Sequence, residues 1–350
     1  MNNLQLLTNA QKILTQTAEN KSVKNAWESG FLIIGLAHID WEGAAEIFRD
    51  YFSLQQPNGF LPFAREEDTS NIAPPIWGFL LHKLYNQADS QDKASLFIKE
   101  MFPKVVHFHE YLYTHRDQEE DGLCYIQHPL ESIFEDNYPS SAEGQYLPVQ
   151  DPFFNTLLTL SNEALIRVAE ILKEDVSDLV QWYELTVHTF NEKLWDEEYG
   201  IYNAWNLTTN EVIPVENISG ILPLLGGIPD IEQALKMLDL IDNSAFAGTS
   251  ENPAFICPLY SLESGELEAN SPYFASISLD YNWLLYQGLQ QYETPEFMET
   301  AALLKKDCLE LLSKNGFYKQ FNCYKKNSAN AGIGAKENPI AAAILLDWLL

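Results

Sequence analysis

Three carboxylate side chains lie within one short segment of this chain, residues 128–139. The segment reads His-Pro-Leu-Glu-Ser-Ile-Phe-Glu-Asp-Asn-Tyr-Pro and contains Glu131, Glu135 and Asp136 among aromatic and proline residues. A carboxylic acid held against apolar and aromatic surface keeps its proton to a higher pH than it does in water. A general acid needs this property, and glycoside hydrolysis commonly uses such a group. The alternative interpretation is a solvated acidic loop in an acidic protein, and the segment alone does not separate the two.

Composition limits the classes to which the protein can belong. Of its 350 residues 46% are apolar, with 19 Phe, 17 Tyr and 8 Trp, which is enough for a large core. The net charge of −29 argues against nucleic acid and anionic membranes as partners, and we expect a small-molecule substrate instead. The sequence gives no indication of the oligomeric state.

Cysteine spacing and apolar runs point to a reducing compartment. The four cysteines form no CxxC pair, so we expect no metal site and no disulfide framework, and nothing indicates a cofactor. No apolar run reaches the roughly 18 residues of a membrane span, and the N-terminus lacks the features of a signal peptide. A cytoplasmic location is therefore expected.

Helical periodicity dominates the chain. Apolar residues recur at helical spacing over 4–19, 31–38, 42–56, 74–87, 91–115, 152–172, 176–194, 230–241, 280–292, 295–314 and 338–349. Strand signals are weak and short, as at 200–203 and 316–318. No Gly-, Ser- or Pro-rich linker divides the chain, so we predict a single all-α domain over residues 1–350. Helical pairs wound into a ring would bury this apolar surface and leave a central cavity lined by loops.

Aromatic and acidic residues collect in the predicted loops. These loops cover residues 27–31, 59–67, 128–139, 272–274 and 316–319. Aromatic faces beside carboxylates are typical of a sugar-binding cavity, and they are also common in any apolar pocket that holds a few polar groups.

A series of short motifs runs in order along nearly the whole chain. They are Trp27-Glu28-Ser29, Gln56-Pro57-Asn58-Gly59, Pro74-Pro75, Arg116-Asp117, Asp121-Gly122-Leu123, His128-Pro129-Leu130-Glu131-Ser132, Leu194-Trp195-Asp196, Gly220-Ile221-Leu222-Pro223, Asn282-Trp283-Leu284 and Gly332-Ile333-Gly334-Ala335. Their order and spacing resemble those of the trehalase- and glucosidase-type glycoside hydrolases. The resemblance is strongest to the mannosylglycerate/glucosylglycerate hydrolase branch of family 63. It implies an (α/α)6 toroid, the six-hairpin glycosidase barrel.

The resemblance also implies a mechanism and roles for individual residues. Family members are inverting: one carboxylic acid protonates the glycosidic oxygen, and a second carboxylate roughly 6.5–9.5 Å away activates water. The family's acid corresponds best to Asp136, after a one-residue insertion, with Glu135 as the second choice. Glu28 stands where the family has an Asp that would hydrogen-bond sugar hydroxyls. Trp27 would offer a stacking face.

Departures from the family pattern fall on residues that carry chemistry. Lys319 stands where the family has its catalytic base, a Glu, and a protonated lysine does not deprotonate water. Ala275 replaces an Arg, Phe63 replaces a His, and Ile133 replaces the Gly of the acid-bearing motif. These changes remove polar groups from the expected cavity.

Three explanations fit these departures. The first is a glycoside hydrolase with a degenerate site that acts on a small α-glycoside, its base having moved to Glu28, Glu66, Glu67 or Glu337. The second is a repurposed toroid that uses the acid to protonate a less polar substrate, as an isomerase, cyclase or lyase would. The third is a non-catalytic sugar-binding protein.

The predicted site contains catalytic positions and residues that line the substrate cavity. The catalytic positions are Asp136, Glu135 and Lys319. The residues predicted to line the substrate cavity are Trp27, Glu28, Phe63, Arg65, Trp77, Tyr138, Tyr273, Phe274, Tyr318 and Glu337.

Overall fold

Most of the chain is helical in the computed structural model, which describes residues 3–65, 70–132, 139–264, 275–325 and 332–350. The α-helices of these ranges are α1 (Asn3–Glu19), α2 (Ala26–Leu36), α3 (Trp41–Phe52), α4 (Trp77–Gln87), α5 (Gln91–His115), α6 (Pro152–Leu172), α7 (Ser177–Lys193), α8 (Ile231–Asp242), α9 (Ser244–Ala247), α10 (Leu279–Leu289), α11 (Pro295–Asn315) and α12 (Pro339–Leu349). No helix among the described residues is long and apolar enough to cross a membrane.

Short strands join the helices. They are β1 (Tyr125–Ile126), β2 (Val149–Gln150), β3 (Trp195–Asp196), β4 (Ile201–Tyr202), β5 (Ala204–Asn206), β6 (Glu211–Ile213), β7 (Ser276–Ser278), β8 (Gln320–Asn322) and β9 (Gly332–Ile333). One antiparallel sheet has the order β1-β2-β5-β6, and another has the order β7-β8-β9. The strand signal at 200–203 corresponds to β4. The signal at 316–318 precedes β8 instead of forming a strand.

Helix positions follow the hydrophobic periodicity closely, with one informative exception. The N-terminal turns of α2 occupy residues 27–30, which we predicted to be a loop. The helix begins early because the side chain of Asn25 accepts a hydrogen bond from the backbone N–H of Glu28, an N-cap. Gly30 is tolerated inside the helix because α4 packs closely there: an added Cβ would lie 3.3 Å from Leu80 Cδ1.

The chain divides into two compact units. Unit 1 contains residues 1–20, 196–202 and 215–350, and unit 2 contains residues 21–195 and 203–214. The prediction of one domain over residues 1–350 stays a prediction.

Unit 2 is built around α4 and α6. Helix α4 packs against α2, α5 and α6, and α6 packs against α7. The core contains Trp77, whose ring stacks on Tyr51 at a centroid distance of 4.8 Å and meets Phe48 and Phe52 edge-on. Trp77 is fully buried. We predicted it as a cavity residue, but the structure places it in this aromatic core because neighbouring rings cover its faces.

Unit 1 is built around α10. This helix packs against α11, α12 and a 3₁₀ turn at 222–226, and α1 packs against α12. Strand β7 leads directly into α10 and pairs with β8, with Ser278 opposite Gln320. The start of α10 therefore lies beside residue 319.

Candidate active site

A buried ion pair anchors the segment that carries the predicted acid. The Glu131 carboxylate accepts two hydrogen bonds from the Arg116 guanidinium, at 3.0 and 3.1 Å. It also accepts the backbone N–H groups of Ile72 and Gln127, each at 2.8 Å. The side chains of Glu131 and Arg116 are 1% and 6% exposed, so the pair is withdrawn from water. All four carboxylate hydrogen bonds come from protein donors, which fixes residues 128–132.

A second buried carboxylate, that of Asp151, binds Ser132 at the end of the anchored residues 128–132. Ser132 Oγ donates a 2.7 Å hydrogen bond to Asp151 Oδ1, and the backbone N–H of Phe154 donates to the same oxygen at the start of α6. Asp151 is fully buried, and its Oδ2 accepts no hydrogen bond from the described chain. Burial raises the pKa of this carboxyl to about 6, against the lowering influence of the Ser132 hydroxyl. Ser132 thus ties the segment before residue 133 to a helix start.

The structure brings four predicted cavity residues together at the N-terminal end of α2. The backbone N–H of Ala26 donates to the carbonyl of Phe63 at 2.8 Å, and that of Arg65 donates to the carbonyl of Lys24 at 3.0 Å. These bonds hold Phe63 and Arg65 beside Trp27 and Glu28. The Trp27 ring packs edge-on against two phenylalanines, and Glu28 is half-buried.

Arg65 contributes the positive charge of this group. Its Nη1 donates to Asp50 Oδ2 at 2.6 Å, and its guanidinium lies over the Tyr51 ring at 5.0 Å. The Arg65 Nε is buried and donates to no acceptor in the described chain. The Tyr51 hydroxyl, which has one proton, lies 2.9 Å from the carbonyl oxygen of Pro62 and 2.7 Å from that of Phe63, so Tyr51 contacts both the Arg65 side chain and the backbone just before it.

The residues gathered at the start of α2 are connected to the anchored residues 128–132. Pro62 forms an antiparallel β-bridge with Ile72, and the backbone N–H of Ile72 donates a hydrogen bond to the Glu131 carboxylate. The Trp27 ring meets Phe153 at a centroid distance of 5.7 Å, two residues beyond Asp151. Trp27 and the anchored residues 128–132 are therefore linked through neighbouring residues of unit 2.

Lys319 belongs to unit 1 and is also fixed by a buried carboxylate. Its Nζ lies 2.9 Å from Asp280 Oδ2, and Ser278 Oγ donates to Asp280 Oδ1 at 2.6 Å. The Asp280 side chain is fully buried, while that of Lys319 is 31% exposed. The ammonium also lies 5.7 Å from the Tyr281 ring centroid.

Two further predicted residues in the described part of unit 1, Tyr318 and Glu337, lie next to Lys319 in the chain or beside the 316–319 turn. The Tyr318 ring covers Gly332 of β9 so closely that an added Cβ there would lie 2.0 Å from the Tyr318 Cγ. Glu337 is exposed and has a φ of +63°. The next residue, Asn338, donates its N–H to the carbonyl of Phe317 at 2.8 Å and caps α12.

Residues 22–255 match the family model described as the mannosylglycerate hydrolase MGH1-like glycoside hydrolase domain. This match covers more than half of the chain. The protein belongs to this glycoside hydrolase family. The resemblance predicted from the motifs is thereby confirmed.

Individual members of the family align with nearly all of the chain. A mannosylglycerate hydrolase of Thermus thermophilus is 26% identical, over 92% of this chain and 93% of its own length. A glucosylglycerate hydrolase of Mycolicibacterium hassiacum is 21% identical, over 93% and 91%.

Solved structures establish the fold. A crystal structure of a GH63 mannosylglycerate hydrolase from Thermus thermophilus has a TM-score of 0.87 at 23% identity, covering 99% of this chain and all of that one. Neutral trehalase from Saccharomyces cerevisiae has a TM-score of 0.71 at 13% identity, covering 93% of this chain and 71% of its own. The predicted all-α (α/α)6 toroid is confirmed.

Seven predicted residues lie outside the part of this chain that the structure describes. They are Asp136, Glu135, Tyr138, Tyr273, Phe274, Glu66 and Glu67. Their roles stay predictions. Within the described ranges, no group of three or more His, Cys, Asp or Glu side chains is arranged to hold a metal ion.

Two buried aspartates that contact residues beside or within the predicted set were not predicted, one in each unit. Asp151 directly precedes a proline and a long apolar pattern, which is a helix-start signal, so its capping role was available from the sequence. Asp280 gave no such signal. Its contact with Lys319 depends on the pairing of β7 with β8, which a chain separation of 39 residues conceals.

Proposed function

We propose that this family member cleaves a small α-glycoside by acid-assisted inverting displacement, with Asp136 as the proton donor. The observation that supports it most is the anchoring of residues 128–132 by Arg116 and Asp151, four positions before the acid in the sequence. An acid works only if its scaffold holds it within reach of the glycosidic oxygen. Four protein donors on Glu131 provide a rigid scaffold up to residue 132.

The substrate class follows from the family and from the residues beside that anchor. The relatives carry names that specify mannosylglycerate and glucosylglycerate, which are small hexosides of an acidic alcohol. Trp27 would stack on the hexose, and Glu28 would accept hydrogen bonds from its hydroxyl groups. Arg65 supplies a cation for the acidic part of such a substrate. We therefore propose a hexosylglycerate-type α-glycoside.

Hydrolysis with this site needs a base other than Lys319. An ammonium engaged with Asp280 has no lone pair with which to take a proton from water. Among the described glutamates named as replacements, Glu28 is half-buried beside Trp27, whereas Glu337 is exposed. Glu28 is our candidate for the water-activating group.

The Lys319–Asp280 pair also supports a second candidate function, sugar binding without hydrolysis. A family member that has lost its base would still bind its glycoside. Under this alternative, hexosylglycerates raise the melting temperature, because ligands that bind only the folded state stabilise it, but no sugar is released.

One experiment separates the two candidates. Purified protein is incubated with glucosylglycerate and with mannosylglycerate, and released hexose and the melting temperature are both measured. The hydrolase predicts hexose release that Asp136→Asn abolishes without lowering the melting temperature, while the neighbouring Glu135→Gln retains it. Stabilisation without any release would favour the binding protein. Full activity of Asp136→Asn would reject the assignment of the acid.

A further inference from the structure

A groove with α5 as one side runs along the surface of unit 2. The α5 residues that line it are three or four positions apart and so share one face of the helix. They include Leu96, Lys99, Phe102, Val106 and Glu110. The opposite side is formed by residues 171–182, from the end of α6 into α7. Two cavities of about 490 and 180 Å³ adjoin along this α5 groove, since Lys173 lines the first and Glu174 the second.

Both cavities of the α5 groove present apolar side chains. In the first, Leu96 and Ile171 are 70% and 39% exposed. In the second, Phe102 and Leu179 are buried and Trp182 is half-buried. Apolar side chains that are gathered in one exposed groove and bordered by charged residues are typical of a contact with another protein.

The charges that border the two cavities differ in sign. The first cavity is lined by Lys99 and Lys173, together with one carboxylate, that of Asp92. The second cavity is lined by the carboxylates of Glu110, Glu174, Asp175 and Asp178. The α5 groove is therefore positive in one cavity and strongly negative in the next.

This order of charges makes the α5 groove complementary to itself. Two copies of a chain with a net charge of −29 repel each other, so a contact between them has to set cations of one copy against carboxylates of the other. Rotating a second copy by a half-turn about the boundary of the two cavities places each first cavity opposite a second cavity, so the favourable contact is made twice. Residues 92–110 span about 27 Å of helix, which is close to the linear extent of a dimer patch of about 800 Å² on each copy.

We propose that the α5 groove is the interface of a two-fold symmetric homodimer. Lys99 and Lys173 of each copy face the carboxylates around Glu110 and Glu174 of the other. The exposed Leu96 side chain is covered in the same contact. The inference goes beyond the proposed function, because the α5 groove contains none of the residues predicted to bind or cleave the glycoside.

Charge reversal at either end of the α5 groove tests this pairing in the full chain. Variant A, Lys99→Glu/Lys173→Asp, makes both cavities negative, and variant B, Glu110→Lys/Glu174→Lys, adds cations to the negative cavity. All four side chains are exposed, so the fold tolerates the changes. The control is Lys12→Glu/Lys306→Glu, which changes the net charge as variant A does but at exposed positions of α1 and α11 in unit 1.

Sedimentation velocity over a range of protein concentrations gives the dimer dissociation constant, and native mass spectrometry identifies mixed dimers. The wild type and the control should form dimers of equal affinity, which higher salt weakens. Variants A and B should each weaken the dimer by about tenfold or more, because symmetry counts every substitution twice. An equimolar mixture of A and B should form A–B heterodimers with an affinity close to that of the wild type. Loss of folding in either variant would not be rescued by mixing.

Three results would overturn the inference. A wild type that remains monomeric at all concentrations would reject a second copy as the occupant of the α5 groove. A dimer that neither variant weakens would show that the copies associate through another surface. Weakened variants that form no heterodimer when mixed would reject the two-fold pairing of opposite charges.

Discussion

Replacing Glu131 with glutamine should destabilise the protein severely, because this carboxylate has four donors to satisfy. Arg116 supplies two of them and the backbone of Ile72 and Gln127 supplies the others. A glutamine amide offers one oxygen, so two donors lose their acceptor and the arginine keeps a buried, uncompensated charge. Removing one partner of a buried pair costs about 3–5 kcal/mol.

The sum of the individual losses agrees with that figure. Each buried donor left unsatisfied costs about 1–3 kcal/mol, so two of them cost about 2–6 kcal/mol. The matched control is Glu163→Gln, which breaks the Arg167–Glu163 pair on the surface of α6. That pair is 58% and 36% exposed, and its loss should cost about 0.3–0.5 kcal/mol.

Equilibrium unfolding in urea at pH 7 measures both variants. The midpoint should fall strongly for Glu131→Gln and hardly at all for Glu163→Gln, with an unchanged dependence on urea concentration. A cost for Glu131→Gln below about 1 kcal/mol, comparable to the surface control, would refute the argument that this ion pair anchors residues 128–132.

Two further predictions concern pH and have opposite signs. Burial lowers the pKa of His109 to about 4, so the unfolded state binds the extra proton as the pH falls from 6.5. The free energy of unfolding should drop by up to about 3 kcal/mol between pH 6.5 and pH 4. Urea unfolding at several pH values should show that the free energy of unfolding of His109→Gln depends less steeply on pH. The same pH dependence in wild type and His109→Gln would contradict a lowered pKa for His109. For Asp151 the folded-state pKa is raised from 3.8 to about 6, so its protonated form contributes stability at low pH that is lost as the pH rises through 6. Asp151→Asn keeps the helix cap and should raise the free energy of unfolding at pH 7 by up to about 3 kcal/mol. A variant less stable than the wild type at pH 7 would show that the carboxylate charge itself is needed.

Helices were predictable where local signals decide them. The periodic pattern over 91–115 matches α5 residue for residue, and Ser90 caps it. Thr294 and Pro295 mark the start of α11 as their types predict. The early start of α2 was missed because the cap, Asn25, precedes residues whose aromatic and acidic character is typical of a loop.

The site was only partly predictable because its charges are paired through tertiary structure. The residue types at Trp27, Glu28, Phe63 and Arg65 identified a group that the fold does bring together. The partner of Lys319 depends on strand register and could not be read from spacing. Trp77 shows the converse limit: an aromatic type is consistent with both cavity and core, and packing alone decides between them.

Leaving-group dependence tests the role of Asp136 most directly. A fluoride ion leaves without protonation, whereas a glycerate oxygen needs a proton, so the acid matters only for the second. The measurement is the ratio of kcat/KM for an α-hexosyl fluoride and a hexosylglycerate in wild type and Asp136→Asn. We predict that the variant loses about 10²–10⁴-fold on the hexosylglycerate and little on the fluoride. An equal loss on both substrates would contradict a proton-donating role for this residue.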